Sequence, residues 1–594
     1  MTYRAPVRDL AFSLTAVAGI EDLAATGAFP DYDADVLGAV LEAAGQFSEG
    51  VLAPLNRPGD LAGAKYADGA VTAAPGFADA YRQFAEGGWT GLAAPASAGG
   101  QALPKALELA AYETVHSANM AFGLCPMLSL AAIEAIEAHG TEHQKTAYLP
   151  RMVSGEWTGA MCLTEPQAGS DLGALTSTAI PNGDGAYSLT GQKIFITWGD
   201  HDATDNIVHM VLARLPDAPP GPKGISLFLA NKFLVNADGS LGARNSFHPV
   251  GIEHKLGIHA SPTCVMAYEG AVAELVGRPH EGLAHMFTMM NAARVGVGVE
   301  GVGIAERAYQ HALAYTLERL QGRSVWTGEA SAPIFDHPDV RRTLAVMKAK
   351  IEAARAICLS TGVAADMARH AATDEAKLQW KGREDLFTPI AKAWSTDVGC
   401  DVASQGVQIH GGMGFIEETG AAQYYRDARI APIYEGTNGI QAMDLVGRKL
   451  SQDGGASAKA VITEMKATLA QLGGLYAGKP VERFATAIEA VEDATLWLLD
   501  AKADKARAAD VLAAADAYLK LMGDVIGGWM LAKGALAAKA RLEASNGDPV
   551  WLQGKIDLYE VYAANVLGHV SSRLAAVGQG GDLLSRMSRE VLGA

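Results

Sequence analysis

The chain has 594 residues, with 48 basic and 66 acidic side chains and a formal net charge of −18. Hydrophobic residues make up 49% and charged residues 19%, a globular composition that excludes disorder over most of the length; the acidic balance repels phosphate and excludes general nucleic-acid binding. Five scattered cysteines (Cys125, Cys162, Cys264, Cys358 and Cys400), without a CxxC pair, argue against a disulfide framework or a cysteine-rich zinc site.

At roughly 150 residues per domain the length suggests about four structural units. Residues 1–34 read as an N-terminal arm. Their opening, MTYRAPVRDLAFSL, lacks the basic start, long apolar run and small-residue cleavage site of a signal peptide. No uninterrupted apolar stretch reaches the roughly 18 residues of a membrane span, so a soluble, cytoplasmic protein without membrane insertion is expected. Residues 35–158 read as a helical domain: 35–47 and 106–116 carry apolar residues at helical spacing, and 133–139 ends at the breaker Gly140. From 159 to 280 the texture turns to β-rich runs at 187–190, 193–197, 207–212 and 224–229. Asn-Gly, Asp-Gly and proline-rich breaks separate them, which predicts an antiparallel sheet or barrel. Helical texture returns over 281–450, in segments 286–320, 340–369 and 389–409. Residues 451–457, SQDGGAS, read as a linker, and the remainder to 594 forms further amphipathic helices, notably 481–500 and 511–544.

Two patterns suggest chemistry that their context does not support. Gly296-Val-Gly298-Val-Glu-Gly301 satisfies GxGxxG, but a dinucleotide fingerprint needs a preceding strand and a tight turn, and this one sits inside a helical run. Small residues at that spacing let helices approach closely. His248, His254, His259 and Cys264 lie near one another in sequence, yet their spacing matches no zinc motif, and hydrogen-bonded histidines are the expected outcome; no metal is assigned.

Two other segments read as backbone approaching a ligand closely. One is Met161-Cys-Leu-Thr-Glu-Pro-Gln-Ala-Gly-Ser-Asp-Leu followed by Lys193-Ile-Phe-Ile-Thr-Trp-Gly. The other is Gln408-Ile-His-Gly-Gly-Met-Gly-Phe, leading through Tyr425-Arg-Asp-Ala-Arg to Ile433-Tyr-Glu-Gly-Thr-Asn-Gly-Ile-Gln. Glu435 stands in a nearly uncharged stretch. A desolvated carboxylate there is a stronger base, while a solvated loop acid is the plainer local reading.

These segments, in this order and spacing, resemble the acyl-CoA dehydrogenase signatures, and the opening arm, EHKLGIHASPTC and the C-terminal appendix resemble a subgroup acting on thioether acyl groups. The resemblance implies a mostly α fold: an N-terminal helical domain, a central β-barrel domain, a four-helix-type C-terminal domain, and an additional C-terminal helical domain over 451–594. It implies FAD as cofactor and an acyl-CoA thioester as substrate, oxidised to the trans-2-enoyl-CoA. Electron-transfer flavoprotein is the implied electron acceptor and a homodimer the implied assembly. Matched position by position, Met161, Leu163, Thr164, Phe195 and Thr197 face the flavin, and Ser170 touches FAD and the CoA arm. Arg319 reaches FAD phosphates across a subunit interface, and Gln408, Gly411, Gly412 and Thr437 contact the cofactor. Asn291 and Arg294 contact substrate, and Glu435 is the catalytic base. Some relatives carry that base on the helix holding Asn291-Ala-Ala-Arg294, where this chain has no carboxylate at positions 291–293. An acyl-CoA oxidase and a catalytically silent scaffold of the same fold are the alternatives.

Overall fold

The structure is a computed structural model that describes residues 3–183 and 185–594; Thr2 of the opening motif and Asp184 of the Asp-Gly break lie outside the described residues. A short helix, α1 (Val7–Phe12), runs into a π-helical turn, Ser13–Ala18. The first helical unit then follows as α2 (Ala34–Phe47), α3 (Phe77–Glu86), α4 (Lys105–Ala118), α5 (Met120–His139) and α6 (Glu142–Val153). Local chemistry starts these helices. Asp33 caps α2 by accepting from Val36 N at 2.8 Å, and Thr141 and Gln144 form a reciprocal capping box on α6. Among the described residues α5 alone is long and apolar enough to cross a membrane, and it is buried against α4 and the neighbouring sheet as a core helix.

The central unit contains β1 (Trp157–Cys162), β2 (Thr178–Pro181), β3 (Tyr187–Thr197), β4 (Asn206–Arg214), β5 (Ile225–Asn231), β6 (Phe247–Ile252) and β7 (Thr263–Val276). Strands β7, β3, β2, β4 and β5 pair in a closed ring, with β6 added to β7 and β1 to β4. The expected barrel is present, but it is not wholly antiparallel: β1 pairs β4 in parallel, Trp157 opposite Asn206 through Cys162 opposite Val211. The cause is the route of the chain. It leaves β1, crosses β2 and β3, and re-enters beside β1 in the same direction, which alternation along single strands does not reveal.

The bundle comprises α7 (Gly282–Glu318), α8 (Pro338–His370), α9 (Asp374–Ile409), α10 (Ala421–Ala428) and α11 (Asn438–Asp444). The expected helix start at 389 is corrected to 374: α9 runs straight through Pro389, because Thr373 caps it by accepting from Ala376 N at 3.2 Å. The charged first turns carry little apolar periodicity, which is why they read as loop. The GxGxxG glycines lie inside α7. A Cβ on Gly298 would stand 2.7 Å from Ala391 O, and one on Gly301 2.6 Å from Ser395 O, so these positions bring α7 and α9 into backbone contact.

The appendix forms α12 (Ala456–Leu472), α13 (Lys479–Ala503), α14 (Ala508–Glu543), α15 (Pro549–Asn565) and α16 (Val570–Gly578). The segment expected as a linker is an ordered turn. Asp453 accepts from Gly455 N at 2.9 Å, Ala456 N at 3.1 Å and Ser457 N at 2.9 Å, so its carboxylate closes the backbone instead of leaving it to solvent. Helix α14 lies against α8, α9 and α11; Trp394 of α9 donates to Asp524 Oδ1 at 2.9 Å across this junction. The arm joins the same assembly. Phe12 packs edge-on against Trp551, and Asp9 receives Lys348 and Lys555, each at 2.8 Å. Lys555 also pairs with Glu352 at 2.8 Å. Buried Arg355 grips Glu113 in a bidentate contact, 2.6 Å at the shortest, and reaches Glu306 at 2.9 Å and Glu352 at 3.3 Å. One buried ionic network thus ties the arm, α4, α7, α8 and α15 together.

Candidate active site

Glu435 lies in the loop between α10 and α11, at φ +56°, a left-handed conformation that costs a side-chain-bearing residue about 1–2 kcal/mol. Three groups hold the strained turn. Gln441 Nε2 donates to Glu435 O at 3.1 Å and Gly436 O at 3.2 Å, and Lys392 Nζ donates to Gly436 O at 2.9 Å. Gly436 follows at φ +82°, and Thr437 caps α11 by accepting from Ile440 N at 3.2 Å. Asn438 completes the clamp. It accepts from Lys392 Nζ at 2.9 Å and donates to Ala393 O at 3.0 Å and Asp397 Oδ1 at 2.8 Å.

Burial lifts Glu435, and although Arg294 and Lys392 pull it back, it is raised to about 7. Burial lowers Lys392 to about 7 against the opposing pull of Glu435 and Glu300. Arg294 Nη1 lies 3.3 Å from Asn291 Oδ1 and 3.4 Å from Asp444 Oδ2. The structure therefore gathers Asn291, Arg294, Glu435 and Thr437 from α7 and the loop. Reading the sequence missed Lys392, Asn438, Gln441, Tyr434 and Glu300. The signal was present for two of them: Lys392 and Glu300 are charges set within apolar helical runs.

A second group sits on the barrel. Met161 and Leu163 are buried, Thr164 and Thr197 half-buried, Ser170 exposed. Thr164 O accepts from Ile194 N at 2.9 Å, tying the end of β1 to β3. A bulge in β3 opposite β7 puts Phe195 at φ +59°, and the residue is 59% exposed, an uncommon setting for a large aromatic. Glu165 is structural. It accepts from Lys193 Nζ at 2.8 Å, Thr176 N at 2.7 Å and Ser177 Oγ at 2.6 Å. Burial opposes its charge, but Lys193 and these donors prevail and hold it at about 2. Among the described residues no hydrogen bond or ion pair joins this group to Glu435.

A third group lies at the far end of α7. Tyr315 stacks on His410 with ring centroids 4.4 Å apart, so Arg319 and the Gln408–Gly411–Gly412 segment share one surface. Arg319, Gln408, Gly411 and Gly412 are exposed, no ion pair holds Arg319 among the described residues, and a Cβ at either glycine would meet nothing within 4 Å. The barrel group offers an exposed aromatic face and hydroxyls at Thr164, Ser170 and Thr197, which suit a flat aromatic ring, and the group at the far end of α7 separately offers a guanidinium and open glycine backbone, which suit phosphate.

Residues 39–156, 160–271 and 280–450 match, in turn, the N-terminal, middle and C-terminal domains of acyl-CoA dehydrogenases, and 461–588 match the acetyl-CoA dehydrogenase C-terminal-like domain. The chain belongs to the acyl-CoA dehydrogenase family, and it is an oxidoreductase. Among relatives it is 46% identical over 588 residues to 3-methylmercaptopropionyl-CoA dehydrogenase of Ruegeria pomeroyi, covering 98% of this chain and 99% of that one. An acyl-CoA dehydrogenase from Bacillus anthracis complexed with FAD shares the fold at TM-score 0.71 and 22% identity, over 94% of this chain and 91% of that one. A chain in the structure of the electron transferring flavoprotein of Acidaminococcus fermentans is 28% identical at TM-score 0.57, over 70% of this chain and 97% of that one.

Proposed function

We propose that this enzyme dehydrogenates a short acyl-CoA, with 3-methylmercaptopropionyl-CoA as the substrate, and that Glu435 is its general base. The observation that carries the assignment is the poised carboxyl of Glu435, held in a strained turn beside Arg294 and Lys392 and lifted to about 7. A base in that range is ionised in part at neutral pH yet retains a high affinity for the α-proton. Its removal from the thioester leaves charge on the acyl group. When bound, FAD would supply the acceptor for the β-hydrogen as hydride, and loss of the α-proton to Glu435 together with that hydride would leave the trans-2-enoyl-CoA.

The protein's share is orientation and proton transfer. Glu435 takes the proton, and Arg294 with Asn291 orients substrate beside it. Phe195, Thr164 and Thr197, with Met161 and Leu163 behind them, form the flavin face, and Ser170 serves cofactor and CoA arm. Gln408, Gly411, Gly412 and Arg319 take the far end of the dinucleotide, Arg319 from the second subunit of a homodimer. Leu317 and Leu320 flank Arg319, and Met413, Phe415 and Ile416 follow Gly412, all exposed, which supports closure of that surface by another copy. Electron-transfer flavoprotein is the proposed acceptor, and the cytoplasm the proposed location.

The test is an anaerobic single turnover. Purified enzyme is yellow, releases FAD on acid denaturation and bleaches with the correct acyl-CoA. A panel of thioether, straight short-chain and longer substrates ranks the acyl group, and turnover with oxygen against an artificial acceptor separates oxidase from dehydrogenase. Glu435→Gln keeps the size and one oxygen but cannot take the proton. It stays yellow, binds acyl-CoA and loses at least about 10²–10⁴-fold in the bleaching rate. Near-normal bleaching by that variant overturns the assignment of the base.

A further inference from the structure

Glu300 is not part of the mechanism above, yet it is the most unusual carboxyl near the site. It sits inside α7, fully buried. One carboxyl oxygen is bonded to the hydroxyl of Tyr434, and the other has no hydrogen-bond partner among the described residues. A buried acid with half of its hydrogen-bonding capacity unmet is costly, and a glutamine or an apolar residue fills such a position more easily. By contrast, Glu165 on the barrel has every oxygen occupied. The placement of Glu300 is also specific. Tyr434 immediately precedes Glu435, so the tyrosine ring is pinned to α7 at the residue before the left-handed turn.

Resting on the assignment of Glu435 as base, we propose that Glu300 is a positioning residue for it, acting through the hydroxyl of Tyr434 and through its own charge. The positional part follows from the contact. With Gln441 and Lys392 gripping the turn at residues 435 and 436, the Tyr434–Glu300 bond supplies the anchor on the other side of Glu435.

The charge part follows from two carboxyls sharing one desolvated region. Burial raises Glu300 to about 8, the Tyr434 bond opposes this, and the neighbouring Glu435 adds to the rise. The coupling is mutual, so an ionised Glu300 makes Glu435 bind its proton more tightly. The other groups facing the pair are Arg294 from the same helix and Lys392 from α9, with Asp397 acting on Lys392 and Asp444 and Arg448 on Arg294. In the reaction negative charge leaves Glu435. A second negative charge beside it therefore destabilises the starting state more than the transition state, and strengthens the base.

The experiment measures the rate of anaerobic flavin bleaching by acyl-CoA from pH 5.5 to 9.5 in the FAD-loaded wild type, Glu300→Gln and Tyr434→Phe. Glu300→Gln is nearly isosteric and keeps a hydrogen bond to Tyr434, while removing the charge. The expected result is a first acid limb near 7 left in place, because Glu300 is still mostly protonated where Glu435 titrates, with loss of the further rise that the wild type shows as Glu300 ionises above about 8, and hence a several-fold lower plateau at high pH with unchanged KM. Tyr434→Phe removes the bond that favours ionised Glu300, so its further rise moves to higher pH. A loss of rate uniform across the whole pH range in both variants means that Glu300 is merely structural, and a high-pH rise of wild-type size and position in both means that it does not act on the base; either overturns the proposal. Should the wild type itself fail to bleach with every acyl-CoA, the functional assignment fails instead, and the two failures are told apart. Tm and bound FAD of each variant establish that the rates come from folded enzyme.

Discussion

Two buried ionic regions of this molecule have opposite designs. In the network around Arg355, charges meet in close complementary pairs: Arg355 faces Glu113, Glu306 and Glu352, and Asp9 and Glu352 share Lys348 and Lys555. Around Glu435 the charges are close but incompletely paired, and Glu435, Lys392 and Glu300 are all displaced toward their neutral forms, to about 7, 7 and 8. The difference teaches what each region is for. Buried charges locked in close ion pairs hold elements in register, whereas charges left without one are poised to exchange a proton.

The comparison can be broken first at the network. Arg355→Met leaves three carboxylates facing an apolar side chain, and an uncompensated buried charge costs about 3–5 kcal/mol. The thermal transition is expected to fall sharply, and the arm and appendix to become sensitive to limited proteolysis. A variant as stable as wild type would show that the pairs add nothing.

Gly301→Ala tests the poised region. The new Cβ would stand 2.6 Å from Ser395 O and force α7 and α9 apart, at about 1–3 kcal/mol. Since α7 carries Arg294 and Glu300 and α9 carries Lys392, activity should fall further than the stability change alone explains. Bleaching rate and Tm measured on the same sample decide this.

The next two expectations are opposite in sign. Glu165 is held at about 2, below the ordinary carboxylate value, so its stabilisation is present above about pH 4.5 and is lost as pH falls toward 2. Glu165→Gln should cost about 1–3 kcal/mol at pH 8, with the difference shrinking in acid. Glu435 is raised, so folded protein resists its ionisation. Whatever stability its neutral form contributes is complete below about pH 4.5 and lost as pH rises through about 7. Glu435→Gln is therefore expected to raise Tm slightly at pH 8 and to leave it unchanged near pH 4, while as the proposed base it is expected to lose at least about 10²–10⁴-fold in bleaching rate. Melting curves at the two pH values check both variants.

How much of this was legible in the sequence varied with the range of the interaction. Helical periodicity located α2, α4, α7 and α8, and β-rich runs located β3, β4 and β5, because both depend on neighbours a few residues apart. The start of α9 was hidden by Pro389 and a charged first half, and the ordered closure of the connection at 451–457 was not legible because it depends on the placement of one aspartate carboxylate. In the candidate site, Glu435, Arg294 and Asn291 were reached through motifs. Tyr434 and Glu300, 134 residues apart, were not, and neither was Lys392, whose partners lie at 436 and 438.

By itself the sequence determined the local features: the succession of helix, strand and helix, the helix caps, the close-packing glycines of α7 and the acid of the Tyr-Glu-Gly-Thr loop. Those follow from backbone propensity and residue spacing, which act within one or two turns. The parallel pairing of β1 with β4 was decided only by tertiary structure, as were the Arg355 network joining Glu113 to α8 and Asp9 to Lys555, and the electrostatic state of Glu435. The physical reason is desolvation. A carboxyl becomes a base or a strut according to which distant side chains exclude water from it and which charges they bring, and that is set when the helices pack.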